Sequence, residues 1–377
     1  MNTKTKKIIV TILLSILVIA VIVILGLYIG NSTARSWIDK NILMKNVEES
    51  NLPKIALEGY KTSKIFAYSN NIAIFNDNTL TIYNQNGKRV TDINIQAEKP
   101  IFASSGDYLL IGDEGNSDLY LIYGETLQWQ KEVEGQVSQI CVNNNGAVGV
   151  SISGTVYKSV ISMYDITGRE SFKTFLSTTT ATDLALSEDG KYLSFIEINT
   201  SGATIGSSVK TISVEKAKND SGEAIIHTYK GNSDTLFLKI KYKKNKVVCF
   251  ADDSIHVFSD GNDEKILDIN KNINLIDINN SGYVSYVREN TVENVVELHI
   301  LNIENKKDNI YNLKNTAKNI YCNEGTTAVD LGNEMHFIDT NGWLIKKYST
   351  IKNIKEVVIG KKVVAIVYKD SIEVLSI

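Results

Sequence analysis

ICVNNNGAVGVSISGTVYKSVISMYDITGRESFKTFL, residues 140–176, holds the pattern that decides the fold. An apolar run ends in the polar turn Asn143-Asn-Asn-Gly146, which leads into the very apolar AVGVSI. A third run, ISMYD, reaches the turn DITG (165–168), and a more polar fourth run closes the unit. Short Val/Ile/Tyr/Phe runs broken by Asn, Asp, Ser and Gly are strand-and-turn chemistry. Branched and aromatic side chains suit a pleated surface, and small polar ones suit tight turns.

The same grammar recurs in both directions. Ser104-Ser-Gly106 precedes DYLLIG, Ser187-Glu-Asp-Gly190 precedes KYLSFIEI, Asn279-Asn-Ser-Gly282 precedes YVSYV, and Lys361-Lys362 precedes VVAIVY. Third runs follow as LTIYN, LYLIY, IHVFS, LHILN, MHFID and IEVLS. Turns such as NQNG (84–87) and DTNG (339–342) lead to polar fourth runs such as KRVTDINI and WLIKKYST. First strands placed near Ile65, Ile101, Ile140, Leu184, Leu238, Ile276, Ile320 and Val357 give a period of about 42 residues. That is the size of a four-stranded propeller blade. The last unit ends at Ile377 with three strands, and Leu52-Pro-Lys-Ile-Ala-Leu-Glu58 supplies the missing fourth. The expected fold is all-β: a β-propeller of eight blades over 52–377, closed by an N-terminal strand, or seven blades if two units merge. A pair of β-sandwiches competes. It needs a linker that the chain, with 2 Pro, lacks, and it leaves both terminal strands unexplained.

The N-terminus reads differently. Lys4, Lys6 and Lys7 precede an uncharged run from Ile8 to Gly30. As a helix it is about 34 Å long, enough to cross a hydrocarbon core of about 30 Å. It is longer than a signal-peptide core and no small-x-small cleavage site closes it, so an uncleaved signal-anchor is expected. Only Arg35 and Lys40 follow soon after, so the positive-inside rule keeps residues 1–7 cytoplasmic and places the rest outside. Residues 31–51 form a connector in which Trp37, Ile38, Ile42, Leu43 and Val47 suit one face of a helix. A helical stalk with Trp37 at the lipid–water interface is the expectation.

Composition excludes other classes. With 43% hydrophobic residues the chain is not disordered, and a net charge of −3 shows no basic excess of the kind that marks nucleic-acid binders. The charge divides: residues 1–50 carry six basic and three acidic groups, leaving −6 beyond them. Three cysteines cannot build a disulfide framework.

The strand-turn grammar, with DITG and DTNG, resembles the YVTN and quinoprotein-like propellers of bacteria. Together with the anchor, the chain is most similar to an uncharacterised family of single-pass membrane-anchored propeller proteins of low-GC Gram-positive bacteria. The likeness covers 52–377 and speaks to fold. In quinoproteins the repeated turn carries an Asp, a Thr-Gly pair and a docking Trp. Asp165, Thr167 and Gly168 come nearest, one residue short, with Phe172 near the Trp position; Trp129 and Trp343 stand alone and the adjacent cysteine pair is missing. No cofactor is expected.

Other chemistry is sparse. Cys141, Cys249 and Cys322 fall in apolar runs without CxxC spacing and read as buried thiols. His256, His299 and His336 share one third-strand position in successive blades. Neighbouring sheets are about 10 Å apart, too far to share a zinc ion, so packing between blades is expected. Gly202-Ala-Thr-Ile-Gly206 lacks a P-loop lysine, and Asp260-Gly-Asn-Asp-Glu264 lacks calcium-loop spacing. No catalytic residues are assigned.

Strand direction fixes the faces. First-to-second turns share a face with the incoming tether, which puts Trp37, Lys243, Lys244, Lys246, Lys361 and Lys362 toward the membrane. Ordinary solvated turn lysines are the competing reading. The opposite face carries the long second-to-third loops 153–159, 199–208 and 288–295, with Tyr157, Thr200, Ile205 and Arg288 as candidate partner contacts. The expected function is non-enzymatic: a protein-interaction or envelope-assembly module with a protein or cell-envelope partner. The alternative is a small-ligand sensor or enzyme using the central channel, on a glycan or a quinone.

Overall fold

In a computed structural model, the residues described are 3–30, 34, 38, 42–43, 45–48, 52–57, 64–201, 205–231, 235–270, 272–279, 281–290 and 295–377. Trp37, the loop residues 202–204 and the tip 291–294 lie outside them. Helix α1 (Thr3–Gly30) precedes two short strands, β1 (Asn46–Glu48) and β2 (Lys54–Ala56). Eight antiparallel sheets follow. Blades 1 to 8 occupy 64–94, 100–132, 136–176, 180–230, 237–268, 273–313, 319–349 and 356–376. Each of the eight first strands lies where the repeat places it. First strands of successive blades pack on one another around a central channel.

The fold follows from how the blades bury their faces. Every second strand is covered on both sides, so Val363–Val367 and Tyr108–Asp113 are buried throughout. That is why these runs read as continuous hydrophobic stretches rather than alternating ones. The core is not one mass. It consists of eight apolar clusters, each lying between two neighbouring blades. Adding a blade adds a cluster, so one domain can reach this length without outgrowing a single core.

Polar bonds complete the ring at the first-to-second turns. Lys361 N donates to Ser69 O and Ser69 N to Gly106 O, joining blades 8, 1 and 2. Ser105 Oγ bonds Asn144 Oδ1, and Asn143 Nδ2 donates to Ser187 O at 3.0 Å. Lys244 N donates to Glu188 Oε1 (3.1 Å), Lys241 Nζ to Ile278 O (3.0 Å), and Gly325 N to Asn279 Oδ1 (3.2 Å). Asn323 Nδ2 reaches Ile359 O at 2.6 Å and closes the belt.

The N-terminal strand closes blade 8. β2 pairs antiparallel with Ser371–Ser376, with Ile55 buried and Lys54 opposite Glu373. Lys54 Nζ lies 3.3 Å from Glu373 Oε1, whose side chain is fully buried and also accepts from Tyr348 Oη.

Three features depart from the sequence reading. The end of the connector is a strand rather than part of a helical stalk: β1 pairs in parallel with Leu344–Ser349 and makes blade 7 five-stranded. Blade 4 inserts a one-and-a-half-turn helix, α2 (Val214–Asn219), before its fourth strand, capped by Ser213 Oγ accepting from Lys216 N. Finally, the long second-to-third loops of blades 4 and 6 are partly strand. Tyr192–Asn199 with Gly206–Ser213 and Tyr283–Asn290 with Val295–Asn302 are eight-residue strands, against six in blade 5.

Candidate functional site

Two faces and one channel could carry function. The basal face bears the first-to-second and third-to-fourth turns; the distal face bears the second-to-third turns and the links between blades.

The channel holds a cavity of about 450 Å³ at its basal end, lined in part by Phe102, Ile140, Asp183, Lys239 and Lys241. Its walls are unlike. Phe102, on which Phe66 of blade 1 stacks at 3.7 Å, lines one side, while blades 4 and 5 supply Asp183, Lys239 and Lys241; Asp277 stands on the first strand of blade 6. The carboxylates are already engaged. Asp183 Oδ2 accepts Ile240 N (2.7 Å) and Asp277 Oδ2 accepts Cys322 N (3.0 Å), each from the next blade. Burial pushes the Asp183 carboxyl above its usual range against the pull of that N–H, and burial with nearby Lys239 pulls the Lys241 ammonium down. Cys322 is free, and burial beside Asp277 pushes its thiol up to about 12.

The aligned histidines have local partners. His256 Nδ1 pairs with Asp263 (2.6 Å) and His299 Nδ1 with Asp308 (2.7 Å), both on the fourth strand of the same blade. His336 crosses to blade 6, where Tyr311 Oη lies 3.1 Å from Nδ1, and burial holds its imidazole below the ordinary range. Among the described residues no cluster of three His, Cys, Asp or Glu side chains could hold a metal. Asp165, the nearest match to a quinoprotein turn, is occupied in its own turn. It accepts Thr167 N, Thr167 Oγ1 and Arg169 N, bonds that hold its carboxyl below the usual range.

On the distal face, Tyr157 packs on Phe175 with ring centroids 4.7 Å apart, beside Val156 at 94% exposure. Next to them, the blade 4 hairpin carries Thr200 and Ile205, both exposed, Ile205 by 62%. Arg288 stands on the equivalent hairpin of blade 6, its guanidinium 5.5 Å over Tyr286. Two extra residues make each strand of these two hairpins about 7 Å longer than those of blade 5. Blade 5 between them turns tightly at 252–253, and Leu238 at the distal end of its first strand is exposed. Thr200 and Ile205 stand on blade 4 and Arg288 on blade 6, either side of blade 5, with Tyr157 on blade 3. The repeat marks Leu238 only as a strand residue; its exposure follows from a register shift after Phe237.

On the basal face the predicted lysines divide. Lys243 and Lys244 pair with Glu188 (3.4 Å) and Glu304 (2.9 Å) across blade boundaries. Lys361 and Lys362 are exposed, and Lys246 is half-buried. The C-terminal end of α1 meets this face, where the Tyr28 and Trp343 rings lie 6.1 Å apart. The span Val10–Gly30 has a mean hydropathy of 3.2 and no part buried against the propeller. It is long and apolar enough to cross a membrane or to serve as a signal sequence.

Solved structures share the fold. The C-terminal WD40 domain of Sif2 matches with 10% identity and a TM-score of 0.55, covering 84% of this chain and 97% of that one. Sqt1 from Chaetomium thermophilum matches with 11% identity and a TM-score of 0.51, covering 83% and 95%. BamB from Moraxella catarrhalis matches with 12% identity and a TM-score of 0.50, covering 86% and 99%. No curated protein sequence matches the chain. The matched family begins at the residue that opens β1, so its span takes in both extra strands. Residues 46–377 match the Family of unknown function (DUF5711), and the chain belongs to that family.

Proposed function

We propose that the chain is a single-pass, membrane-anchored propeller held outside the cytoplasm, working as a protein-interaction or envelope-assembly module rather than a catalyst. The distal face carries this reading. Val156, Tyr157, Phe175 and Ile205 place exposed apolar groups on adjacent blades 3 and 4 of a rigid scaffold. Large apolar groups gathered on one face of a soluble domain mark contact surfaces. The anchor supports it further, since the span enters on the basal side and leaves the distal face open to partners.

The channel supports the rival reading less well. A catalyst needs titratable groups that converge on open space, and Asp183 and Asp277 are spent on backbone N–H groups of the next blade.

The test is a full-length Tyr157→Asp/Ile205→Asp variant. Both side chains are exposed, so its melting should match the parent. It should lose, by about tenfold or more, the partners that the parent retains from detergent-solubilised membranes. A folded variant that keeps every partner contradicts the reading.

A further inference from the structure

We propose that the third-to-fourth turn of blade 7, with Trp343 beside it, is a lipid-contacting foot that seats the propeller on the bilayer by one rim. This rests on reading Val10–Gly30 as a membrane span. Tyr28 lies two residues before the end of that span, about 3 Å along the helix axis. It is therefore at the interfacial depth where Tyr and Trp rings are favoured. The Trp343 ring meets it edge-on, at 6.1 Å and 73°.

The junction is tied as well as touching. Lys45 Nζ donates to Tyr28 Oη (2.8 Å) and to Leu344 O, the residue after Trp343. Lys45 O accepts Lys347 N at 2.9 Å, and β1 begins at the next residue and pairs along the same strand. An aromatic contact, an ammonium clasp and a strand thus hold the helix end to blade 7. Despite these contacts Trp343 is 45% exposed. Asn309 Nδ2 of blade 6, bonded to Thr340 O at 2.8 Å, braces the turn from the neighbouring blade. A large aromatic group exposed at the level where the helix leaves the hydrocarbon is matched by lipid. Lys361 and Lys362, exposed on blade 8 of the same face, complement anionic headgroups.

The other rim provides an internal control. Trp129 lies on the outer strand of blade 2 and donates to Ile166 O of blade 3, far round the ring from blade 7. The chain has 3 Trp, so W37F/W129F leaves Trp343 as the only fluorophore and W37F/W343F leaves Trp129. Each full-length variant is reconstituted in phosphatidylcholine–phosphatidylglycerol vesicles carrying dibrominated acyl chains. Trp343 should be quenched about twofold more by bromines near the headgroup end than by bromines at the bilayer centre, and Trp129 little by either. Quenching of Trp343 no greater than that of Trp129 overturns the foot and leaves the turn to a protein partner. Alkaline carbonate extraction of the same vesicles separates the two readings. A chain that stays in the membrane with Trp343 unquenched loses the foot alone, whereas a chain that is extracted loses the span and the foot together.

Discussion

Asn143 Oδ1 accepts the N–H groups of Asn145 and Ala147, both at 3.0 Å, and makes the turn that opens AVGVSI. Its Nδ2 also bonds blade 4, so one buried side chain both shapes a turn and joins two blades. Asn84 makes the same kind of turn, accepting Asn86 N (2.9 Å) and Lys88 N (3.2 Å) at an exposed corner. Asn143→Ala should cost about 2–3 kcal/mol and Asn84→Ala about 1 kcal/mol, read as shifts in denaturation midpoint at constant slope. Equal costs would remove the belt from the account of stability. These turns were legible because each pairs an Asn or Asp acceptor with a Gly three residues on. Gly146 and Gly168 adopt φ of 75° and 78°, a region that side chains disfavour. The same chemistry explains the likeness of Asp165 and Thr167 to a cofactor turn, since the residues that resemble it are those that build the corner.

The closing strand was legible as an element because an unfinished last unit and an orphan first strand need each other. β1 was not. Three residues pairing in parallel with the polar Lys347–Ser349 carry no apolar alternation to read. α2 escaped for a similar reason: Val214-Glu-Lys-Ala-Lys-Asn219 is too short to display a helical period, and only Val214 and Ala217 are buried. Tyr28 and Trp343 are brought together by ring closure, which no local pattern reports. The closure itself is testable. A chain lacking 1–44 keeps β1 and β2. A chain lacking 1–57 exposes the edge at Ser371–Ser376 and strips Lys54 from the buried Glu373 carboxylate. The first should melt cooperatively as a monomer, and the second should melt about 10 °C lower or aggregate. Equal melting would mean that β2 is not the closing element.

At the scale of the molecule the charge has a direction. A lysine-led helix enters the basal rim, and residues beyond 50 carry −6. The sequence located both faces from strand direction alone, yet it could not sort their residues. It grouped Lys243 and Lys244 with Lys361 and Lys362, whereas the first two are spent on Glu188 and Glu304. Such exposed pairs contribute about 0–1 kcal/mol each and leave little charge to offer a membrane. It named Tyr157, Thr200, Ile205 and Arg288 from loop length, whereas the hairpins of blades 4 and 6 gain part of that length as strand. In the proposed arrangement partners meet the distal face while the basal face stays with the anchor. Photo-cross-linking in intact membranes tests it, with p-benzoylphenylalanine replacing Tyr157 or Ile205 on the distal face, or the exposed Tyr123 on the basal face. Discrete protein adducts are expected from the two distal positions and none of these from Tyr123. No distal adduct, or the same adducts from all three positions, would contradict it.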